Sequence, residues 1–120
     1  LQKHADKGNV EAQVHLGDAY RYGQIGLKKS MKRALQLYEL AAAQGNARGQ
    51  TYLGDCYQLG YGAKINFKTA VQWYRRAADQ GHPSAQFNLG LIFFLGEGVA
   101  QSYDEAVKLF RLAAAQGDAD

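Results

Sequence analysis

Small and apolar residues recur along the chain with the spacing of amphipathic helices. Gly49, Leu53, Gly54 and Tyr57 share one face of a predicted helix, since residues three and four apart lie on the same side. A second pattern follows, with an aromatic pair, two alanines and a closing glycine in residues 70–81. Glycines between the two patterns permit the positive φ of a tight turn. The hydrophobic pattern therefore predicts helix, turn, helix.

This two-helix pattern occurs three times. The stretch at residues 70–81 has near copies 36 residues upstream and 36 residues downstream, and a fixed period of this length indicates a repeat array. We predict helices at residues 10–22, 31–44, 47–59, 67–80, 83–95 and 103–116. The repeats are placed at about 9–45, 46–81 and 82–117. In such an array each unit leaves a hydrophobic face that only its neighbour covers.

Cap residues precede the predicted helices. Side chains of Asn and Ser at these positions can accept a hydrogen bond from the first turn, and Pro83 suits the first helical position. The predicted caps are Asn9, Asn46 and His82 for the first helices and Ser30, Asn66 and Ser102 for the second helices.

Both ends of the chain carry parts of further repeats. Leu1–Gly8 align with the tail of a second helix, and residues 118–120 align with the start of a first helix. We interpret the chain as a window from a longer array, with partial repeats at both ends. The exposed end faces, around Leu109 and Leu112 at one end, are expected to self-associate.

Composition favours a folded protein. Hydrophobic residues make up 47% of the 120 residues, charged residues 21%, and there is one proline, which argues against disorder. No segment approaches the roughly 20 apolar residues that cross a bilayer, so we expect a soluble chain. The net charge of +3 gives only weak long-range attraction for nucleic acid. The single cysteine, Cys56, aligns with Ala19 and Ile92 and is predicted to be a small core residue.

The repeated order of alanine, leucine, glycine, aromatic, glycine-rich turn, Trp73-Tyr74, two alanines and glycine resembles the Sel-one-like repeat. This repeat is a relative of the tetratricopeptide repeat, and the match covers essentially the whole chain. Leu37 and Leu109 stand where tryptophan is usual, and Gly49 replaces a small alanine.

The resemblance implies an all-α fold, a right-handed α/α solenoid of three full helix-turn-helix repeats. It also implies a non-enzymatic scaffold or adaptor without cofactors, which binds a protein or peptide on a concave surface lined by the first helices. A bacterial source is favoured, while the compartment stays open. A cysteine-rich branch of the family has been linked to penicillin binding, but one cysteine cannot supply its disulfides.

Helix geometry locates the partner-binding residues on the side of each first helix opposite Leu16 and its counterparts, if Leu16 points to the core. Val14, Thr51 and Phe87 lie on this far side. The predicted partner-binding residues are Asp18, Arg21, Tyr22, Tyr52, Asp55, Gln58, Phe87, Asn88, Leu91 and Phe94. In the third repeat the far side is apolar, which fits either a binding patch or the interface to a further repeat.

Two alternative functions stay open. One is a small-molecule hydrolase in the style of the cysteine-rich branch. The other is weak polyanion binding through Lys28, Lys29, Lys32 and Arg33 at the start of a second helix. No catalytic, metal-ligand or phosphate-loop spacing is present in the sequence, so no catalytic or metal residue is predicted.

Overall fold

A computed structural model describes residues 9–118, and this part of the chain contains six α-helices and no strand. The helices agree with the predicted ones to within two residues at each end. They are α1 (Val10–Tyr22), α2 (Met31–Ala43), α3 (Ala47–Leu59), α4 (Phe67–Asp79), α5 (Pro83–Leu95) and α6 (Tyr103–Asp118).

Most of the predicted caps form. The side chains of Ser30, Asn46, Asn66 and Ser102 each accept a hydrogen bond from the backbone N–H three residues later. Asn9 and His82 occupy the N-cap positions, as predicted, but their side chains make no cap hydrogen bond, so the bond expected from Asn9 is absent. Pro83 is the first residue of α5, where the N–H group that proline lacks would have no partner within the helix.

Consecutive helices pack on one another and build an elongated stack of 45 × 32 × 23 Å. One buried layer holds α2 against α3 through Tyr38, Leu53 and Cys56. The next layer holds α4 against α5 and α6, with Tyr74 and Leu89 fully buried. The described residues thus form an all-α repeat solenoid, as predicted.

Glycines in the first helices allow a close approach of the second helices. A Cβ atom built on Gly17 or Gly54 would lie 2.7 Å from the ring of Tyr38 or Tyr74. Gly90 stands in the same relation to Phe110. Because Cβ contacts below 3.0 Å are essentially absent from proteins, only glycine fits these positions without movement of the ring.

A pair of glutamines joins the two helices of each repeat. The Nε2 atoms of the last-turn glutamines lie 2.7–2.9 Å from the Oε1 atoms of the first-helix glutamines. The pairs are Gln13–Gln44, Gln50–Gln80 and Gln86–Gln116. Gln50 and Gln86 are buried and also bond to the carbonyl groups of Ala42 and Ala78 in the preceding repeat. Their buried amides are therefore satisfied within the stack.

The predicted orientation of the first helices was wrong in two respects. Leu16 is 39% exposed, whereas its counterparts Leu53 and Leu89 are buried. Val14 and Thr51, expected on an open side, are fully buried. The reason is that a first helix within a stack has neighbours on several sides, and Thr51 lies beside Pro83 and Ser84 of the repeat that follows.

The predictions for the ends of the chain have a mixed outcome. Leu1–Gly8 and residues 119–120 lie outside the described residues. Asp118 continues α6, although it was expected at the start of a new helix. Leu109, expected on an end face, is buried in the core, whereas Leu112 is exposed.

Gly45 and Gly81 take positive φ values of 87° and 90° and let the chain turn into α3 and α5. In the described part of the chain, no helix follows α6 for such a turn to reach.

Candidate functional site

An open groove of about 400 Å³ lies between the first helices of the second and third repeats. Residues three and four positions apart on α3 and on α5 line its two sides, because such positions share a helix face. Four predicted residues meet here: Tyr52, Asp55, Phe87 and Asn88. The remaining lining residues are Thr51, Pro83 and Ser84.

Asp55 is the polar centre of this groove. Its Oδ1 atom accepts a hydrogen bond of 2.5 Å from the hydroxyl of Tyr74 and one of 3.4 Å from Nδ2 of Asn88. Its Oδ2 atom lies 3.6 Å from the guanidinium of Arg21. Burial raises the pKa of Asp55, while the Tyr74 hydrogen bond and the charge of Arg21 oppose this shift. One carboxylate thus links side chains from all three repeats.

Arg21 is held by aromatic rings as well as by Asp55. The rings of Tyr22, Tyr52 and Tyr61 have their centroids 5.1–5.8 Å from the guanidinium carbon. At these distances each ring attracts the cation. Tyr22 is 59% exposed, so the outer edge of this aromatic cluster is open to solvent.

A second carboxylate, Asp18, connects the first two repeats. It accepts a hydrogen bond of 2.5 Å from the hydroxyl of Tyr38, and its other oxygen lies 4.0 Å from Arg48. Arg48 pairs more closely with Glu11, at 2.8 Å. This part of the first-helix surface is therefore a network of partnered charges.

Three predicted residues in the third repeat, Phe87, Leu91 and Phe94, lie toward the C-terminal end of the stack and are 36–49% exposed. The counterparts of Phe87 in the first two repeats, Val14 and Thr51, are fully buried. Leu91 and Phe94 do not line the groove. Gln58, another predicted residue, is half-buried, and its Oε1 atom accepts a hydrogen bond of 2.8 Å from the hydroxyl of Tyr74.

Comparison with known proteins decides the family. The model of the Sel1 repeat matches residues 10–46, 47–82 and 83–118. The chain belongs to the Sel1 repeat family. The predicted resemblance is thereby confirmed.

Two solved Sel1 structures are similar in both sequence and fold. A Sel1 repeat protein from Oxalobacter formigenes is 40% identical over 92% of this chain, with a TM-score of 0.85. The antigen c5321 of uropathogenic Escherichia coli, which displays the same repeat fold, is 39% identical over 97% of this chain, with a TM-score of 0.87. This chain spans 45% and 25% of the lengths of these two proteins.

A third structure shows the fold alone. Cysteine rich protein B of Helicobacter pylori is 22% identical over 93% of this chain and 88% of its own, with a TM-score of 0.72. The comparison with curated proteins finds no match. Sel1 repeat proteins generally serve as protein-interaction scaffolds and are typically not enzymes, which does not favour the hydrolase alternative.

The sequence analysis missed two residues, Tyr74 and Tyr61, that position side chains at the groove between α3 and α5. Tyr74 was noted only as part of the repeated pattern, yet its hydroxyl donates a hydrogen bond to Asp55. Tyr61, in the turn after α3, was not considered although it covers Arg21. The repeat alignment contained a signal for Tyr74, because Tyr and Asp occur together in repeats one and two and are both replaced in repeat three.

The other candidate residues lie apart from the groove. Cys56 is buried, as predicted, and burial raises the pKa of its thiol to about 12. Lys28, Lys29, Lys32 and Arg33 are exposed at the start of α2, so the polyanion alternative stays a prediction. Within residues 9–118, no group of three His, Cys, Asp or Glu residues could hold a metal ion, and no helix has the length and hydropathy to span a bilayer.

Proposed function

We propose that this Sel1 chain binds an extended segment of a protein partner on the surface formed by α1, α3 and α5, with the groove between α3 and α5 as the docking point. The observation that carries the proposal is the chemistry of the groove, where exposed apolar groups lie beside fixed polar groups. Phe87 is 49% exposed, and Asn88 and Asp55 lie next to it at the base.

This combination suits a peptide. A volume of about 400 Å³ accommodates one or two side chains, and Tyr52 and Phe87 offer rings against which an apolar side chain can pack. The amide of Asn88 can hydrogen-bond to a peptide backbone, because its only bond within the described residues is the long one to Asp55. The charges of Arg21 and Asp55 are already paired, so we expect apolar and hydrogen-bonding contacts to dominate recognition.

A phage-displayed library of random peptides, selected on the 120-residue chain, tests this proposal. Ser84→Lys places a long side chain in the groove from an exposed position and should weaken the selected peptides at least about tenfold. Gln72→Lys, at an exposed position of α4, is the matched control and should bind as the parent chain does. Selected peptides that bind both variants equally would place the binding surface elsewhere.

A further inference from the structure

The turns within the first two repeats lie side by side along one edge of the stack. We call residues 22–33 and 59–69, which form these turns and the helix ends beside them, the turn edge. A Cβ atom on Gly62 would lie 2.6 Å from the carbonyl oxygen of Met31 and 3.1 Å from Cβ of Leu35. The turn of repeat two therefore packs on the start of α2, which directly follows the turn of repeat one.

The turn edge carries positive charge only. It contains six Lys and Arg residues and no Asp or Glu. Lysines occupy equivalent positions in the two repeats, Lys28 with Lys64 and Lys32 with Lys68, and all four are exposed. None of these four lysines forms an ion pair with another described residue. Their charge is therefore directed to solvent or to a partner.

Large apolar side chains are exposed on the same edge. Tyr22 is 59% exposed, and its counterpart Leu59 in repeat two is 49% exposed. Ile65 is 57% exposed, and its Cγ1 atom would lie 3.1 Å from a Cβ atom on Gly60, the residue after Leu59. Leu59 and Ile65 belong to the middle repeat, which packs on a repeat at either side. They are therefore exposed although both neighbouring repeats are present.

The opposite edge of the stack has a different character. It is formed by the turns between repeats, at residues 44–48 and 79–84. Its charges are those of Arg48, which pairs with Glu11, and of Asp79. None of the exposed large hydrophobic residues within residues 9–118 lies there. Of the two edges, only the turn edge combines lysines with exposed apolar side chains.

We propose that the turn edge binds the surface of a membrane that contains anionic lipids, at a site separate from the peptide groove. Lysines attract anionic headgroups, and apolar side chains beside them enter the interfacial region of the bilayer. Nucleic acid fits this edge less well, because its phosphates contact the lysines alone and its bases stack on aromatic rings. Leu59 and Ile65 provide no such ring.

The sequence of repeat three limits the contact to the first two repeats. Asp104 is the counterpart of Lys32 and Lys68, and Glu97 lies in the turn of repeat three. An anionic surface repels both carboxylates. No residue that lines the groove between α3 and α5 belongs to the turn edge, so the chain can hold a peptide and a membrane at the same time.

Co-sedimentation of the 120-residue chain with large unilamellar vesicles tests the proposal. Phosphatidylcholine vesicles with about 30 mol% phosphatidylserine should retain the chain far better than vesicles of phosphatidylcholine alone. Lys28→Glu with Lys64→Glu should weaken this binding at least about tenfold, since each lysine near an anionic surface contributes about fivefold. Lys108→Glu with Arg111→Glu is the matched control, because it causes the same change of net charge at exposed positions of α6. It should bind nearly as the wild type does.

A second pair of variants distinguishes a membrane from another polyanion. Leu59→Gln with Ile65→Gln should weaken vesicle binding but leave binding of a single-stranded oligonucleotide unchanged. Leu40→Gln, at an exposed position on the outer surface of α2, is the control for loss of an apolar side chain and should bind vesicles as the wild type does. Circular dichroism melts establish that all variants are folded.

Two results would overturn the proposal. One is equal retention of the wild-type chain by the two kinds of vesicle, or retention by neither. The other is vesicle binding that depends on Lys28 and Lys64 but not on Leu59 and Ile65, which would indicate a site for polyanions in general. Either result leaves peptide binding in the groove untouched, because Ser84 and Asn88 lie outside the turn edge.

Discussion

The hydroxyl of Tyr74 donates a hydrogen bond of 2.5 Å to Asp55 between the two helices of one repeat. Tyr38 and Asp18 repeat this relationship at the same distance in the first repeat. In the third repeat Phe110 and Leu91 occupy both positions, so donor and acceptor are absent together. The pair therefore behaves as one unit, since a buried donor or acceptor without its partner is costly.

We predict strong coupling between the members of this pair. Tyr38→Phe and Asp18→Leu should each destabilise the chain, whereas the double variant, which reproduces the pair of repeat three, should lose less than the sum. A coupling free energy of about 1–2 kcal/mol is expected from urea unfolding of the four proteins. Additive losses would mean that the hydrogen bond contributes nothing beyond the separate side chains.

Asp55 should make the free energy of unfolding depend on pH. Burial raises its folded-state pKa above the ordinary value of about 3.9, so the folded chain binds more protons than the unfolded chain between these two values. Stability relative to Asp55→Asn should therefore increase as the pH falls through this window. The measurement is urea unfolding of both proteins at neutral pH and in acid. A relative loss in acid would show that pairing with Arg21 outweighs burial.

Gly54→Ala should destabilise the fold although alanine favours helices. The new Cβ would lie 2.7 Å from the ring of Tyr74, which is fully buried, so the ring or the helix must shift. Overpacking of this kind costs about 1–3 kcal/mol, which exceeds the gain of about 1 kcal/mol in helix propensity. Thermal and urea unfolding check the prediction, with Ser84→Ala as the control at an exposed helical position. A stabilised Gly54→Ala would indicate that the two helices can separate at little cost.

Truncation of a buried leucine should destabilise the fold far more than truncation of a half-exposed phenylalanine. Leu53 is 1% exposed, so Leu53→Ala should cost about 2–5 kcal/mol. Phe94 is 46% exposed and contacts the ring of Tyr103, so Phe94→Ala should cost much less. Chemical denaturation of both variants gives the comparison. Equal losses would mean that Phe94 belongs to the core.

The sequence predicted accurately those features that recur with the period of the repeat. The six helices followed from apolar spacing together with cap and glycine positions, because these are local properties. The prediction was wrong for Val14, Thr51 and Leu16, because a helical wheel with one core direction ignores the neighbours on either side. Their burial depends on which repeat is present next to them.

The groove was predictable only in part. Tyr52, Asp55, Phe87 and Asn88, which were predicted from their helix positions, lie together in the groove because they occupy facing positions of adjacent first helices. Leu91 and Phe94 were grouped with them by helix face, but their counterparts Asp55 and Arg21 interact with adjacent repeats rather than with an open cavity. The aromatic cluster around Arg21 depends on the turn residue Tyr61, whose position no periodic pattern fixes.

The packing of each helix chiefly on its neighbours along the chain has a consequence for unfolding. Within residues 9–118, the first and third repeats each pack on one other repeat, whereas the middle repeat packs on two. Amide hydrogens of α3 and α4 should accordingly exchange last. Unfolding should begin in the first and third repeats and reach the middle repeat last.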